Sequence, residues 1–150
     1  MSRTTAGVRA LRAAGVPFEA HEYAHRVKGA AYAAEATGVA PERLAKTLVV
    51  EIDGSPVFAL VPADAELGLR TLARAAGGRN AALAAERDAE RLTGYTVGGI
   101  SPFGSRRKLP VYADRRWLAH DRVALNGGAR GLIVELARED LVRLVEPVAF

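Results

Sequence analysis

Lys46-Thr47-Leu48-Val49-Val50-Glu51-Ile52, then Asp53-Gly54-Ser55-Pro56, then Val57-Phe58-Ala59-Leu60-Val61: two runs rich in β-formers flank an Asp-Gly signal. They read as a β-hairpin. The connection in this reading is longer than two residues, so its turn type stays open. The second run is almost continuously apolar, which predicts a strand buried on both faces. Around the hairpin, helical and extended stretches interleave without a regular βαβ rhythm. That predicts a mixed sheet of α+β type rather than a doubly wound fold.

Upstream of the hairpin, Ser2 to Ala14 has helical spacing in Val8 and Leu11 and a stop at Gly15. Phe18 to Tyr23 alternates like a strand, with Phe18 and Ala20 on one face and His21 and Tyr23 on the other. Extended to His25, that strand would separate His21 from His25 by roughly 13 Å, too far to share one metal ion. No carboxylate cluster is apparent beside them, so both histidines read as non-ligands. Gly29 to Thr37 reads as an alanine-rich helix ending at Gly38, and Pro41 to Leu44 as a short helix. Downstream, helices are expected at Leu67–Ala76, Ala85–Leu92 and Glu139–Leu144, with one helical turn at Arg115–Leu118. Extended pieces are expected at Asn80–Leu83, Leu109–Ala113, Arg122–Leu125, Gly131–Leu136 and Val145–Val148, with a turn at Asn126-Gly127-Gly128. No repeat or long linker interrupts the 150 residues, which are read as one domain, 1–150.

The chain is 49% hydrophobic and 25% charged, as in ordinary globular proteins. It has no cysteine, which excludes disulfides, thiolate metal sites and a cysteine nucleophile. No apolar run approaches membrane-spanning length, and Met1 to Thr5 lacks the apolar core of a signal peptide, so a cytoplasmic location is expected. Lys and Arg outnumber Asp and Glu 21 to 17, a formal +4 that permits nucleic acid or a phosphorylated ligand.

Two glycine clusters carry the candidate chemistry. Gly94-Tyr95-Thr96-Val97-Gly98-Gly99-Ile100-Ser101-Pro102-Phe103-Gly104 is neither a Walker A loop nor a dinucleotide fingerprint. A loop so rich in glycine lets main-chain N–H groups converge on an anion or a polarised carbonyl. Asn126-Gly127-Gly128-Ala129-Arg130-Gly131 is the second cluster; it reads as a hairpin turn, or as a site that adds a guanidinium. Lys46, at the entry to an apolar strand, reads as a solvated end or as a cation at a cleft edge. Arg106, Arg107, Lys108, Arg115 and Arg116, with Trp117 beside them, read as a solvated basic face or as an RNA-backbone contact. No serine triad is present, because Ser101 does not sit in Gly-x-Ser-x-Gly.

The Gly94 to Gly104 stretch resembles the signature loop of the YbaK family, the free-standing aminoacyl-tRNA deacylases. That family is related to the editing domain inserted in bacterial prolyl-tRNA synthetases. Phe18 through Tyr23, Lys46-Thr47-Leu48-Val49, and Asn126 to Leu132 running into Glu135-Leu136 agree in order and spacing, so the resemblance covers nearly the whole chain. It implies a compact α+β domain with a curled mixed sheet surrounded by helices. It also implies hydrolysis of mischarged aminoacyl-tRNA, typically tRNA(Pro) carrying a small amino acid such as Cys or Ala. The alternative is a non-catalytic module that binds a tRNA end. The resemblance gives Lys46 the catalytic role and places Tyr23 on the pocket wall. Gly98, Gly99, Ile100 and Ser101 then meet the terminal nucleotide or the ester. Thr47, Asn126, Gly127 and Arg130 complete the expected substrate set, and Arg106, Arg107 and Lys108 the RNA set. No cofactor and no metal are expected; the partners are aminoacyl-tRNA and, as a candidate, prolyl-tRNA synthetase. Two positions depart from the cysteine-clearing branch: Asn126 replaces a small hydroxyl residue and Ile133 replaces an aspartate.

Overall fold

The computed structural model describes residues 3–150. In chain order the elements are α1 (Ala6–Ala13), β1 (Glu19–Glu22), α2 (Ala30–Thr37), β2 (Ala45–Ile52), β3 (Ser55–Pro62), α3 (Leu69–Ala75) and β4 (Ala81–Leu83). Then follow α4 (Glu86–Thr93), β5 (Val111–Ala113), α5 (Arg115–Leu118), β6 (Arg122–Asn126), β7 (Leu132–Ala137), α6 (Arg138–Val145) and β8 (Val148–Ala149).

The hairpin is β2 against β3, antiparallel, with Ile52 opposite Ser55. Its connection is therefore two residues, Asp53 and Gly54, shorter than the sequence reading had it. Both have positive φ, 49° and 85°, as in a type I′ turn whose twist matches that of the strands. The Asp53 carboxylate accepts the N–H groups of Arg79 and Asn80, which ties this turn to the chain entering β4. β3 lies in the middle of a five-stranded sheet ordered β4-β2-β3-β5-β8, which explains why Val57 to Val61 are buried on both faces. Its β3–β5 and β5–β8 pairs are parallel, so the sheet is mixed.

A second sheet, β1-β7-β6, is antiparallel throughout. One parallel bridge, Leu44 to Ala124, joins the two sheets at their edges. That bridge also explains why Pro41 to Leu44 is a turn and not the expected helix. The Arg43 carbonyl accepts from Ala124, and the Pro41 and Leu44 carbonyls both accept from Ala63, so they cannot serve a helix.

Thr5 caps α1 by accepting the Val8 N–H, and Val8 and Leu11 bury its inner face. The expected helix start at Ser2 lies outside the described residues. At the other end α6 runs through Val145, where a strand was expected; Glu146, at φ 46°, ends it and β8 starts only after Pro147. Trp117 is a core residue with no exposed surface, and its indole N–H donates to the Arg43 carbonyl at 2.8 Å. It is therefore not an aromatic platform for RNA, contrary to the reading of the basic stretch. Arg116 is committed too, gripping the Asp114 carboxylate with two guanidinium nitrogens.

Candidate active site

A cleft of about 370 Å³ opens where β2 loses its neighbour on one edge. β4 pairs with β2 only from Val50 to Ile52, extended by the Ala84 N–H donating to the Val49 carbonyl. At the other end β6 bonds to the turn just before β2, at Arg43 and Leu44. At positions 46–48 no strand covers this edge among the described residues. Val49 and Asp53 both turn main-chain groups toward it, one to Ala84 and the other to Asn80. Antiparallel alternation therefore turns the Thr47 N–H and C=O to the same edge, into the opening. The Thr47 hydroxyl is buried and has no hydrogen-bond partner among the described residues.

Lys46 and Thr47 lie on opposite faces of β2, and both line the cleft. The Lys46 ammonium donates to the Ala65 carbonyl at 2.6 Å. Ala65 belongs to the turn after β3, so the hairpin that carries the lysine also fixes its head group. One donor is spent this way, and an ammonium has three.

The two glycine clusters form the facing wall. Gly99 lies so close to the second cluster that a Cβ there would sit 2.7 Å from Ala129 C and Arg130 N. Asn126 staples the pair: its amide donates to the Gly98 and Ala129 carbonyls and its oxygen accepts from Gly128 and Ala129. Arg130 lies over Gly98, which has φ 94°, and donates to the Val97 carbonyl at 2.9 Å. The N-terminal turn completes the clasp, since the Thr5 hydroxyl donates to the Gly127 carbonyl. The amide N–H groups of Gly98 and Ile100, two cleft-lining residues, donate to no acceptor among the described residues.

Of the residues expected from the sequence, Tyr23, Lys46, Thr47, Gly98, Ile100 and Asn126 line this cleft. Gly99, Ser101, Gly127 and Arg130 do not line it; they stand behind the wall. Ser101 is fully buried and its hydroxyl accepts the Phe103 N–H. Arg106, Arg107 and Lys108 lie apart from the cleft: Arg106 covers Gly94 and donates to the Arg91 carbonyl, and Lys108 borders a second hollow beside α1 and α6.

His25 and Lys28 line the cleft and were missed as site residues. The sequence shows them only as polar residues after a short strand; the signal is that His25 follows Tyr23 by two. β1 ends at Glu22, so His25 lies in the loop to α2, with its ring 6.4 Å from the Tyr23 ring. Its Nδ1 is likewise buried and without a hydrogen-bond partner among the described residues. Burial raises the Tyr23 phenol above its ordinary value, against opposing pulls from the Gly131 main chain and Arg3. It therefore remains a neutral donor at pH 7.

Asn126 and Ile133, the two departures, are cross-strand partners in the β6–β7 ladder, and both line the cleft. They are one local change, with amide and alkyl facing the space where a hydroxyl and a carboxylate were expected.

A carboxylate cluster does accompany His21, contrary to the sequence reading: Glu19, His21 and Glu135 bring their ligand atoms within 4.8 Å of one another. Arg43 and Arg122 occupy the same Glu135 oxygen, at 3.1 and 3.2 Å, so the positive charge there is already supplied by guanidinium groups. Burial pushes the Glu135 carboxyl up, but hydrogen bonds from Arg43, His21 and Arg122 together hold it below the ordinary glutamate value.

Comparison with known proteins agrees with this geometry. The family model for the aminoacyl-tRNA editing domain matches residues 24–144. A protein of Enterococcus faecalis, provisionally named as the Cys-tRNA(Pro)/Cys-tRNA(Cys) deacylase EbsC, is 33% identical over 93% of this chain and 87% of its own length. The multifunctional Ser/Thr-tRNA deacylase ProXp-y of Escherichia coli is 34% identical over 75% of this chain and 71% of its own. The proline–tRNA ligase of Moorella thermoacetica is 41% identical over 51% of this chain, which takes up only 13% of the ligase. A solved structure provisionally described as a trans-editing enzyme for prolyl tRNA synthetase superposes with TM-score 0.87 at 25% identity, over 99% of this chain and 97% of its own. Two of these relatives carry the names of aminoacyl-ester hydrolases. The chain belongs to the aminoacyl-tRNA editing domain family.

Proposed function

We propose that this protein acts in trans, in the cytoplasm, to clear a small amino acid from mischarged tRNA(Pro), the product of prolyl-tRNA synthetase error. The observation that carries the reading is the open edge of β2. It leaves a strand-rooted lysine on the cleft that Gly98 and Ile100 also line, and the N–H groups of those two residues have no acceptor among the described residues. Ester hydrolysis builds negative charge on the carbonyl oxygen, and fixed donors aimed at that charge are worth about 10²–10³ in rate each. Holding the tRNA end beside them supplies proximity. Water or a group of the substrate makes the attack.

Ile133 and Asn126 weigh against cysteine as the dominant substrate, because at those two positions the wall offers alkyl and amide groups where a carboxylate and a hydroxyl were expected; the carboxylate that lines the cleft, Glu86, comes from the start of α4. Apolar walls separate side chains that differ by a methylene by only about 1–3 kcal/mol, so activity overlaps among small amino acids. The test is a single-turnover panel of Cys-, Ala-, Ser- and Pro-tRNA(Pro). Loss of small amino acids with cysteine not dominant supports the reading. Cysteine cleared far faster than alanine and serine overturns its specificity, and an ester left intact throughout would reveal a binding module.

A further inference from the structure

We propose that Glu90 and Arg130 are positioning residues: together they hold the Val97–Gly98 peptide in the one orientation that presents the Gly98 N–H to the ester. This rests on the deacylase reading above. The Gly99 N–H donates to the Thr96 carbonyl at 2.8 Å, which closes a four-residue turn with Val97 and Gly98 at its centre. Gly98 has φ 94°, while φ of Val97 is not positive. That combination is a type II turn. A type I turn shares the same ends and differs by a near half-turn of the middle peptide, here Val97–Gly98.

A trans peptide points its C=O and its N–H in opposite directions. The Val97 C=O meets the Arg130 Nε at 2.9 Å, so the Gly98 N–H points away from Arg130, and it has no acceptor among the described residues. Val97 and Gly98 line the cleft and Arg130 does not. A half-turn of this peptide would put a carbonyl oxygen in the place of the donor, where it would repel the charge that builds on the ester. Two charged groups oppose that flip. Arg130 holds the carbonyl, and the Glu90 carboxylate, on α4, accepts the Val97 N–H at 2.8 Å. Both main-chain groups of Val97 are thus gripped by charge-assisted bonds. The guanidinium on the carbonyl also polarises the peptide and strengthens its N–H as a donor.

The experiment has two readouts, on wild type and Arg130→Met. The first is single-turnover deacylation of alanyl-tRNA(Pro), titrated to saturating enzyme. Arg130→Met is expected to slow the saturated rate by about tenfold or more, as for loss of a donor to the oxyanion, with the half-saturating enzyme concentration little changed. Gly98→Ala, which disfavours the positive φ, should slow it too, and adding Arg130→Met to Gly98→Ala should cost almost nothing more, because both act on one peptide. The second readout is nuclear magnetic resonance of the free protein. A type II turn, with ψ of about +120° at Val97, brings the Val97 Hα close to the Gly98 N–H. The Overhauser effect between them should be strong in wild type and weaker in Arg130→Met. If Arg130→Met does not fold, Glu90→Ala takes its place with the same expectations. A wild-type rate in the variant, additive losses in the double variant, or an Overhauser effect that is weak in wild type or unchanged in the variant would overturn the proposal. If wild type leaves the ester intact while the effect still weakens in the variant, the deacylase reading falls and the hold on the peptide stands.

Discussion

Lys46 is anchored twice, by a strand whose next residues enter the core and by the Ala65 carbonyl. Its head group is thus placed before substrate arrives. Lys46→Ala is expected to fold normally, keep most tRNA affinity and lose about 10²–10³ in single-turnover deacylation, the usual cost of one such donor. Lys46→Arg should rescue poorly, because a planar fork directs its donors differently. Near-normal turnover in Lys46→Ala would remove the lysine from the chemistry. Asn126 is a different kind of residue. Its amide hydrogen-bonds main-chain groups of both glycine clusters, so its role is to hold the wall. Asn126→Ala leaves those groups unmatched and is expected to cost about 1–3 kcal/mol, read from urea unfolding. A stability loss under about 0.5 kcal/mol would show that water replaces the staple without penalty. The sequence displayed Asn126 as half of an Asn-Gly turn signal, but the structure keeps it as the last residue of β6. Local turn chemistry is kept, since the Asn126 oxygen accepts from Gly128 and Ala129, and a long-range partner, Gly98, that no short window contains is added to it.

Elements were legible where their own residues decide them. The hairpin, the glycine-stopped helix α2 and the buried strand β3 follow from patterns inside single windows. Boundaries failed where a distant carbonyl or amide intervened, as at Pro41 to Leu44. The cleft itself was illegible, because it arises from β4 and β6 stopping short, and strand pairing is set by tertiary contact. Two predictions belong to this scale. Gly99→Ala drives a methyl into the Ala129–Arg130 backbone and should disorder both clusters, seen as lost activity with a lowered Tm. An active variant of unchanged Tm would mean that the clusters separate freely. The β1-β7-β6 sheet carries the Glu135 network. Its carboxyl is held below the ordinary value in the folded state, so its contribution is present above that value and is lost as pH falls through the folded one. Wild type should therefore lose stability toward acid below about pH 4.5, and the deficit of Glu135→Gln should shrink there. A deficit constant with pH would assign the effect to shape and not charge.

At the scale of the whole molecule, the formal +4 has to be distributed over a surface that meets RNA. Arg106, Arg107 and Lys108 follow the first glycine cluster directly in the chain and lie outside the cleft. They are expected to steer the acceptor end toward it. Neutralising all three should weaken tRNA binding and flatten the log–log salt dependence, by roughly 0.9 for each duplex phosphate that no longer meets a cation. An unchanged slope would put the RNA on another face, with Lys28 at the cleft as the next cation to test.

The clasp between Thr5 and Gly127 has a consequence for the order in which the protein comes into being. It joins residues 122 apart, and the wall it closes draws on residues near both ends of the chain. Contacts of such long range are slow to form. While the ribosome is still making this protein, the lysine strand emerges and folds against β3 long before the second glycine cluster exists. A nascent chain halted ahead of Gly127 carries the lysine but lacks the second glycine cluster, so the wall cannot close until that segment has been made.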